Sequence, residues 1–213
     1  MAIKAATANL RHKNVIDRCW RDQSNWDIDR QRLVVCSVGL ARKMQQNRGR
    51  GVTAYTVTDP SDDPVRPKPG TLRSKVWIDH NTLARCEDGL LDVTLGSTDV
   101  TVSNNWFHDH DKVMLLGHND QHVADRRMRV TVAFNRFGPN VTRRTPVGHA
   151  AGKDWHCHSS GDSFENGAVF KQTGSRVRPN YNRHQAFSAV SAGEVRSLTK
   201  DAGALRCFPG AAC

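Results

Sequence analysis

The 213 residues suffice for one domain, and 38% hydrophobic residues allow a core without making it a rich one. A formal charge of +10 and a pI near 9.7 point to a polyanionic partner, which could be nucleic acid, an anionic lipid surface or an acidic polysaccharide. No run is long and apolar enough to span a membrane, and the opening MAIKAATANLRHKN lacks the apolar centre of a signal peptide, so nothing in the sequence announces export.

After a polar arm, Leu33, Cys36, Leu40 and Met44 recur at helical spacing, with Asn25 or Asp27 as a cap and Gly49 and Gly51 as stops. The spacing predicts an amphipathic helix. Ala54 to Thr58 reads as a short strand, and the loop DPSDDPVRPKPG is punctuated by Pro60, Pro64, Pro67 and Pro69.

The organising stretch is Val76 to Phe137. It contains VWIDHNTL at 76–83, VTVSNNWF at 100–107 and VTVAFNRF at 130–137, three copies of V-x-[IV]-x-x-N-x-[LF] with strand-like alternation. Apolar runs at Leu90 to Leu95 and Val113 to Leu116 lie between the copies. A two-strand unit with this period predicts a solenoid of parallel strands, each coil stacked on the last. Asn81, Asn105 and Asn135 should stack at one corner, where Asn bonds turn backbone and tolerates left-handed geometry, with Leu83, Phe107 and Phe137 beneath as core. An ordinary antiparallel sheet would share the alternation but not the repeated Asn. An exposed last coil offers unpaired backbone groups, and the predicted helix is the candidate cover. Beyond Phe137 the periodicity fades into Gly, Ser, Ala and charge, and irregular chain lying against the solenoid is expected. The tightest basic group, Arg126, Arg127 and Arg129, reads as a solvated face beside Asp125.

Six cysteines, at 19, 36, 86, 157, 207 and 213, match no zinc spacing, and their even number is compatible with disulfides in a secreted protein. His108, His110, His118, His122 and the run His156-Cys157-His158 raise a transition-metal reading, which needs about four ligands to converge. Asn140-Val141-Thr142 is a glycosylation sequon shortly before Arg144.

The segment VWIDHNTLARCEDGLLDVTLGSTDVTVSNNWFHDHDKVMLLGHND resembles the plant pectate lyases, parallel β-helix enzymes that cleave polygalacturonate. The likeness extends to NVIDRCWR and DDPVRPKPGTLR before it and to SGDSFENGAVF and KDAGALRC after it. The resemblance implies an all-β, right-handed parallel β-helix, shortened, with an N-terminal capping helix and an irregular C-terminal segment. It makes residues 1–213 a single domain, with arm and cap helix at 1–52, helix core at 53–149 and C-terminal segment at 150–213. Two blocks of the family pattern are missing, one between Arg73 and Val76 and one between about Ala150 and Lys153.

The family places acidic calcium ligands four apart in a D-G-L-x-D segment, which matches Asp88 and Asp92. Calcium takes carboxylate oxygens in flexible geometry. A further family ligand falls in the first missing block. Arg144 matches the catalytic arginine, and Pro146 keeps its motif's proline. Val147 and His149 stand where the family has arginines that clamp substrate carboxylates, leaving His149 as the substrate-binding candidate at that place. Lys112 matches a lysine that holds a uronate carboxylate. The resemblance also implies that Cys19 pairs with Cys36 and Cys207 with Cys213, and that Cys86 lost its partner with the first missing block. It implies a monomer in the cell wall, acting on an acidic polysaccharide with Ca2+, without nucleic-acid or membrane partners. With part of the calcium site and the later arginines gone, lyase activity should be strongly reduced. A non-catalytic pectate-binding wall protein and a nonfunctional product of a damaged gene are the competing readings.

Overall fold

The three repeated segments fold alike and pair with one another in the computed structural model, which describes residues 13–28, 30–42, 76–118, 121–141, 156–170 and 176–213. Each contributes two short strands: β1 (Trp77–Asp79) and β2 (Thr82–Ala84), β4 (Val100–Ser103) and β5 (Trp106–His108), β7 (Val130–Ala133) and β8 (Arg136–Phe137). The apolar runs between them supply β3 (Leu91–Val93) and β6 (Met114–Leu116). All pairings are parallel, in three sheets ordered β1-β4-β7, β2-β5-β8 and β3-β6. The register aligns the motif with itself, Ile78 against Val102 and Val102 against Val132, then Leu83 against Phe107 and Phe107 against Phe137. Antiparallel pairing is thereby excluded for these strands.

The inward side chains of the three sheets make one core of Val76, Leu91, Val93, Val100, Val102, Phe107, Val113 and Met114. Phe107 and Phe137 lie face to face, with ring centroids 5.1 Å apart and planes 7° from parallel. The corner between the first two strands of each coil carries the expected ladder. Asn105 Oδ1 accepts from the backbone N–H of Asn81 at 2.8 Å and from its Nδ2 at 3.0 Å, and Asn135 Oδ1 accepts from the Asn105 N–H at 2.9 Å and Nδ2 at 3.1 Å. The left-handed residue, however, is the one before each ladder asparagine: His80, Asn104 and Phe134 have φ of 54°, 53° and 59°. The ladder side chain bonds this turn's backbone instead of taking its strained conformation; Asn105 Nδ2 reaches Ser103 O at 2.8 Å and Ile78 O at 3.0 Å.

The N-terminal segment departs from the expected helix. The α-helix lies earlier, at α1 (Val15–Trp20), where Asn14 Oδ1 caps the Ile16 and Asp17 N–H groups at 3.0 and 3.1 Å. Residues Arg30–Cys36 form a 3-10 helix, and Met44 lies outside the described residues. Gly39 breaks the apolar periodicity at φ +63°, and a Cβ there would stand 2.4 Å from Thr131 Oγ1, so glycine is required for the close approach. The chain here runs across the outer face of the first sheet: Ala41 N donates to Thr101 Oγ1 at 3.0 Å and Leu40 N to Thr131 Oγ1 at 3.2 Å. This explains why β4 is buried on both faces. Ile16, Trp20, Cys36 and Val38 form a second apolar cluster with Trp77, Phe134, Phe187, Leu205 and Cys207.

Disulfides join Cys19 to Cys36 and Cys207 to Cys213, while Cys86 and Cys157 form none. Among the described residues of the C-terminal segment the regular structure is a 3-10 turn at Ala192–Glu194 and the one-turn α2 (Val195–Leu198). No helix among the described residues is long and apolar enough to cross a membrane.

Candidate active site

The third sheet presents an outer face on which the sequence-derived acids meet. In β3, Leu91 and Val93 turn inward and Asp92 outward, as alternation dictates. Asp88 sits in the turn just before, and Lys112 in the lead-in to β6, one coil on. The backbone joins these two segments, Leu90 N donating to Lys112 O at 3.0 Å. Lys112 Nζ donates to Asp88 Oδ1 at 2.6 Å, with the two side chains 53% and 79% exposed. That bond and the ammonium charge hold the Asp88 carboxyl below the usual carboxylate range.

Asp92 behaves oppositely. The Gly89 turn packs on its carboxylate so closely that a Cβ on Gly89 would stand 2.5 Å from Asp92 Oδ1. This local desolvation, followed by the like charge of Asp88, pushes the Asp92 carboxyl up, against the Leu115 backbone N–H and the nearby His118 and Lys112. Asp88 and Asp92 thus form a like-charge pair next to one ammonium.

The sequence reading missed the residues that shape this turn. Cys86 Sγ donates to the carbonyls of Asp88 at 3.1 Å and Gly89 at 3.2 Å, and His110 Nε2 also bonds the Asp88 carbonyl. The register could have indicated it, since the coil offset that brings Lys112 to Asp88 also brings His110 to Cys86, their Sγ and Nε2 being 3.7 Å apart. A neighbouring corner is built from Arg85, Asp109 and Asn140, all left-handed with φ of 55°, 48° and 57°. Asp109 accepts from Asn140 Nδ2 at 2.6 Å and His108 Nδ1 at 2.8 Å and approaches Arg85 at 3.4 Å. Hydrogen bonds from Asn140 and then His108 hold its carboxyl low. Arg144 and His149, and with them Pro146 and Val147, lie outside the described residues.

Two carboxylates repelling one another on an open face are hard oxygen donors whose charge a divalent cation would offset, so the chemistry of the pair fits Ca2+ in kind. Calcium takes about 6–8 oxygens, so Asp88 and Asp92 make only part of a shell, the remainder being left to water and a ligand's own carboxylates. Among the described residues no three His, Cys, Asp or Glu side chains converge to hold a metal ion. The transition-metal reading of the histidines therefore finds no support in them: His108 serves Asp109, His110 serves the Asp88 carbonyl, and the rings of His118 and His122 stand 6.0 Å apart.

Comparison with known proteins agrees with this topology. A family model described as pectate lyase matches residues 71–160. The chain is 30% identical to a protein named probable pectate lyase 4 of Arabidopsis thaliana, covering 94% of this chain and 90% of that one. Identity to a pectate lyase of Zinnia elegans is 27%, over 94% and 87% of the two chains. The alignment to the Arabidopsis protein runs over 335 positions, more than the 213 residues here. The crystal structure of jun a 1, the major allergen from cedar pollen, superposes with a TM-score of 0.67 at 28% identity, covering 91% of this chain and 100% of that one.

Proposed function

Because the chain belongs to the pectate lyase family, we propose that it binds polygalacturonate on the outer face of the third sheet and cleaves it, slowly, by calcium-dependent β-elimination. The observation that carries this reading is the grouping of Asp88, Asp92 and Lys112 on that face. The scaffold is a shortened right-handed parallel β-helix, a single domain of residues 1–213 with its arm and cap at 1–52, core at 53–149 and tail at 150–213. The length of the alignment relative to the chain supports internal shortening. Two disulfides suit an oxidising, extracellular setting such as the cell wall. We take the protein to be a monomer.

β-Elimination removes the proton at C5 of a uronate and expels the C4 oxygen, leaving a 4,5-unsaturated sugar. Asp88 and Asp92 would hold the Ca2+, which when bound offsets the uronate carboxylate beside C5 and so makes that proton easier to remove. Lys112 binds a uronate carboxylate through its ammonium and orients the ring. Arg144 takes the C5 proton, which requires its neutral form, favoured only where positive charge crowds and water is excluded. Val147 and His149, replacing two arginines of the family pattern, weaken both conditions, and His149 can donate one hydrogen bond to a carboxylate where a guanidinium would donate two. Slow turnover follows.

The test is ultraviolet absorbance of the unsaturated product from polygalacturonate at alkaline pH, with calcium and with chelator, on wild type and Arg144→Ala, with circular dichroism as the check on folding. A slow, calcium-dependent signal lost in Arg144→Ala is expected. A flat trace from folded protein overturns catalysis and leaves the second reading, a pectate-binding protein. That reading draws on the Lys112 ammonium lying against Asp88, a cation already in place beside one of the two candidate metal-binding carboxylates.

A further inference from the structure

His80 stands where three parts of the molecule meet, and its ring has acceptors at both nitrogens. Nε2 lies 2.8 Å from Asp17 Oδ1 of α1, and Nδ1 lies 3.1 Å from the carbonyl oxygen of Gly203 in the C-terminal tail. A neutral imidazole carries one N–H and can serve only one of these acceptors, whereas the imidazolium serves both. The ring is 8% exposed and the Asp17 side chain 3%, so water does not readily replace either bond.

The surroundings favour the doubly protonated ring. From the end of β1, just before His80, Asp79 Oδ2 lies 3.9 Å from Nε2. From α1 come Asp17, the edge of the Trp20 ring with centroids 5.8 Å apart, and Arg21, whose guanidinium reaches Asp17 Oδ2 at 3.1 Å and Asp201 Oδ2 at 2.9 Å. From β4's turn, Asn104 Nδ2 lies between Asp79 Oδ1 at 3.0 Å and Asp17 Oδ1 at 3.4 Å. Burial lowers the proton affinity of His80, but the Asp17 hydrogen bond, the charges of Asp79 and Asp17 and the Gly203 carbonyl outweigh it and hold the ring above the ordinary imidazole range.

The two bonds are unequal. The one to Asp17 is charge-assisted and the one to Gly203 is to a neutral carbonyl, so a ring with a single proton keeps Asp17 and turns a lone pair toward Gly203. Gly203 also lies on the stack through its N–H to Asn104 O at 2.7 Å, with Ala204 N donating to Thr82 Oγ1 at 2.9 Å. It leaves no room beside it, a Cβ there standing 2.8 Å from Thr82 Oγ1 and 3.1 Å from Trp106 Cβ. The far end of the tail is held separately, Cys213 exchanging bonds with Arg21 at 2.7 and 3.1 Å.

We propose that His80 is a proton-operated latch for the C-terminal tail: protonated, it clips Gly203 onto the stack, and on losing a proton it keeps α1 and releases the tail around Gly203, uncovering Thr82 and Trp106 on the outer face of β2 and β5. The latch is independent of whether the chain cleaves pectate.

The test is amide hydrogen exchange of the full chain, corrected for the intrinsic pH dependence of exchange, between about pH 5.5 and about pH 9. Protection at Gly203 and Ala204 should fall by about tenfold or more relative to Thr101 in β4, with a midpoint equal to that of the His80 ring titrated by NMR in the same protein. In His80→Gln, which cannot titrate, the fall should vanish. Loss of protection in step at Gly203 and Thr101, no loss at either, a midpoint away from that of the His80 ring, or a fall that persists in His80→Gln overturns the proposal. The midpoint comparison needs only the wild type, so it decides even if the variant does not fold.

Discussion

Lys112 Nζ donates to Asp88 Oδ1 at 2.6 Å across one coil of the stack, and it is this lysine that depresses the Asp88 carboxyl. Both side chains are open to solvent, so the pair adds little to stability. Lys112→Met should leave the denaturation midpoint in urea unchanged and let Asp88 titrate at higher pH, nearer an ordinary aspartate. A carbon-detected NMR titration of Asp88 in both proteins checks the shift. An unmoved Asp88 would mean that the contact is not populated in solution.

The asparagine ladder makes a stability prediction. Asn105 is fully buried and bonds both neighbouring coils, whereas Asn81 is exposed and bonds one. Asn105→Ala strands the Asn81 N–H and takes a donor from the Ile78 and Ser103 carbonyls, of which Ser103 keeps the His80 N–H, and should cost about 2–4 kcal/mol. Asn81→Ala should cost less than half as much. Urea unfolding of both variants decides, and equal losses would mean that the ladder carries no more than its exposed end does.

That ladder was legible in the sequence because a repeat of whole coils brings the same residue type to the same corner each time. Asn81, Asn105 and Asn135 announced the parallel stack, and the pairs Leu83 with Phe107 and Phe107 with Phe137 followed. The first helix was misplaced for a physical reason. Leu33, Cys36 and Leu40 are spaced as on an α-helix, yet their burial comes from a 3-10 helix and a second 3-10 stretch that crosses the first sheet, where Gly39 is required by contact with Thr131. Periodicity records which residues are buried, not which backbone buries them. The resemblance singled out Asp88, Asp92 and Lys112 but not the bond between Asp88 and Lys112; that bond and the approach of His110 to Cys86 share one coil offset, which emerges only once the strand register is known. Arg144 and His149 rest on the resemblance alone.

Cys86 is exposed and in no disulfide, while Cys157 is half-buried and burial pushes its thiol up. Titration of the native protein with an aromatic disulfide reagent should therefore give a fast and a slow thiol, and Cys86→Ser should remove the fast one. Two equally fast thiols, or none, would contradict the arrangement. Because Cys86 Sγ bonds the Asp88 and Gly89 carbonyls, modification at this residue should also weaken polygalacturonate binding, which affinity measurements before and after labelling can read.

Asp79 carries the last prediction. Burial pushes its carboxyl up to about 6, against the charge of His80 and hydrogen bonds from Ser103 and Asn104, while the charge of Asp17 adds to the rise. A carboxylate whose folded value is raised makes folding less favourable above that value, and the cost is relieved as pH falls from about 6 toward the unfolded value of 3.8. With about 1.4 kcal/mol per unit, the full swing is on the order of 3 kcal/mol. His80, also raised, acts in the same direction, since its contribution is complete below its unfolded value of 6.5 and is lost as pH rises through its folded value. Asp79→Asn keeps an oxygen for Ser103 and Asn104 but cannot ionise. Relative to wild type, its unfolding free energy should therefore improve by roughly 3 kcal/mol on going from about pH 4 to about pH 8, read from urea unfolding of both proteins across that range. A difference that stays constant with pH would mean that Asp79 enters the folded protein with an ordinary carboxyl, and that its cluster with His80 is better solvated than the packing of α1 and the tail implies.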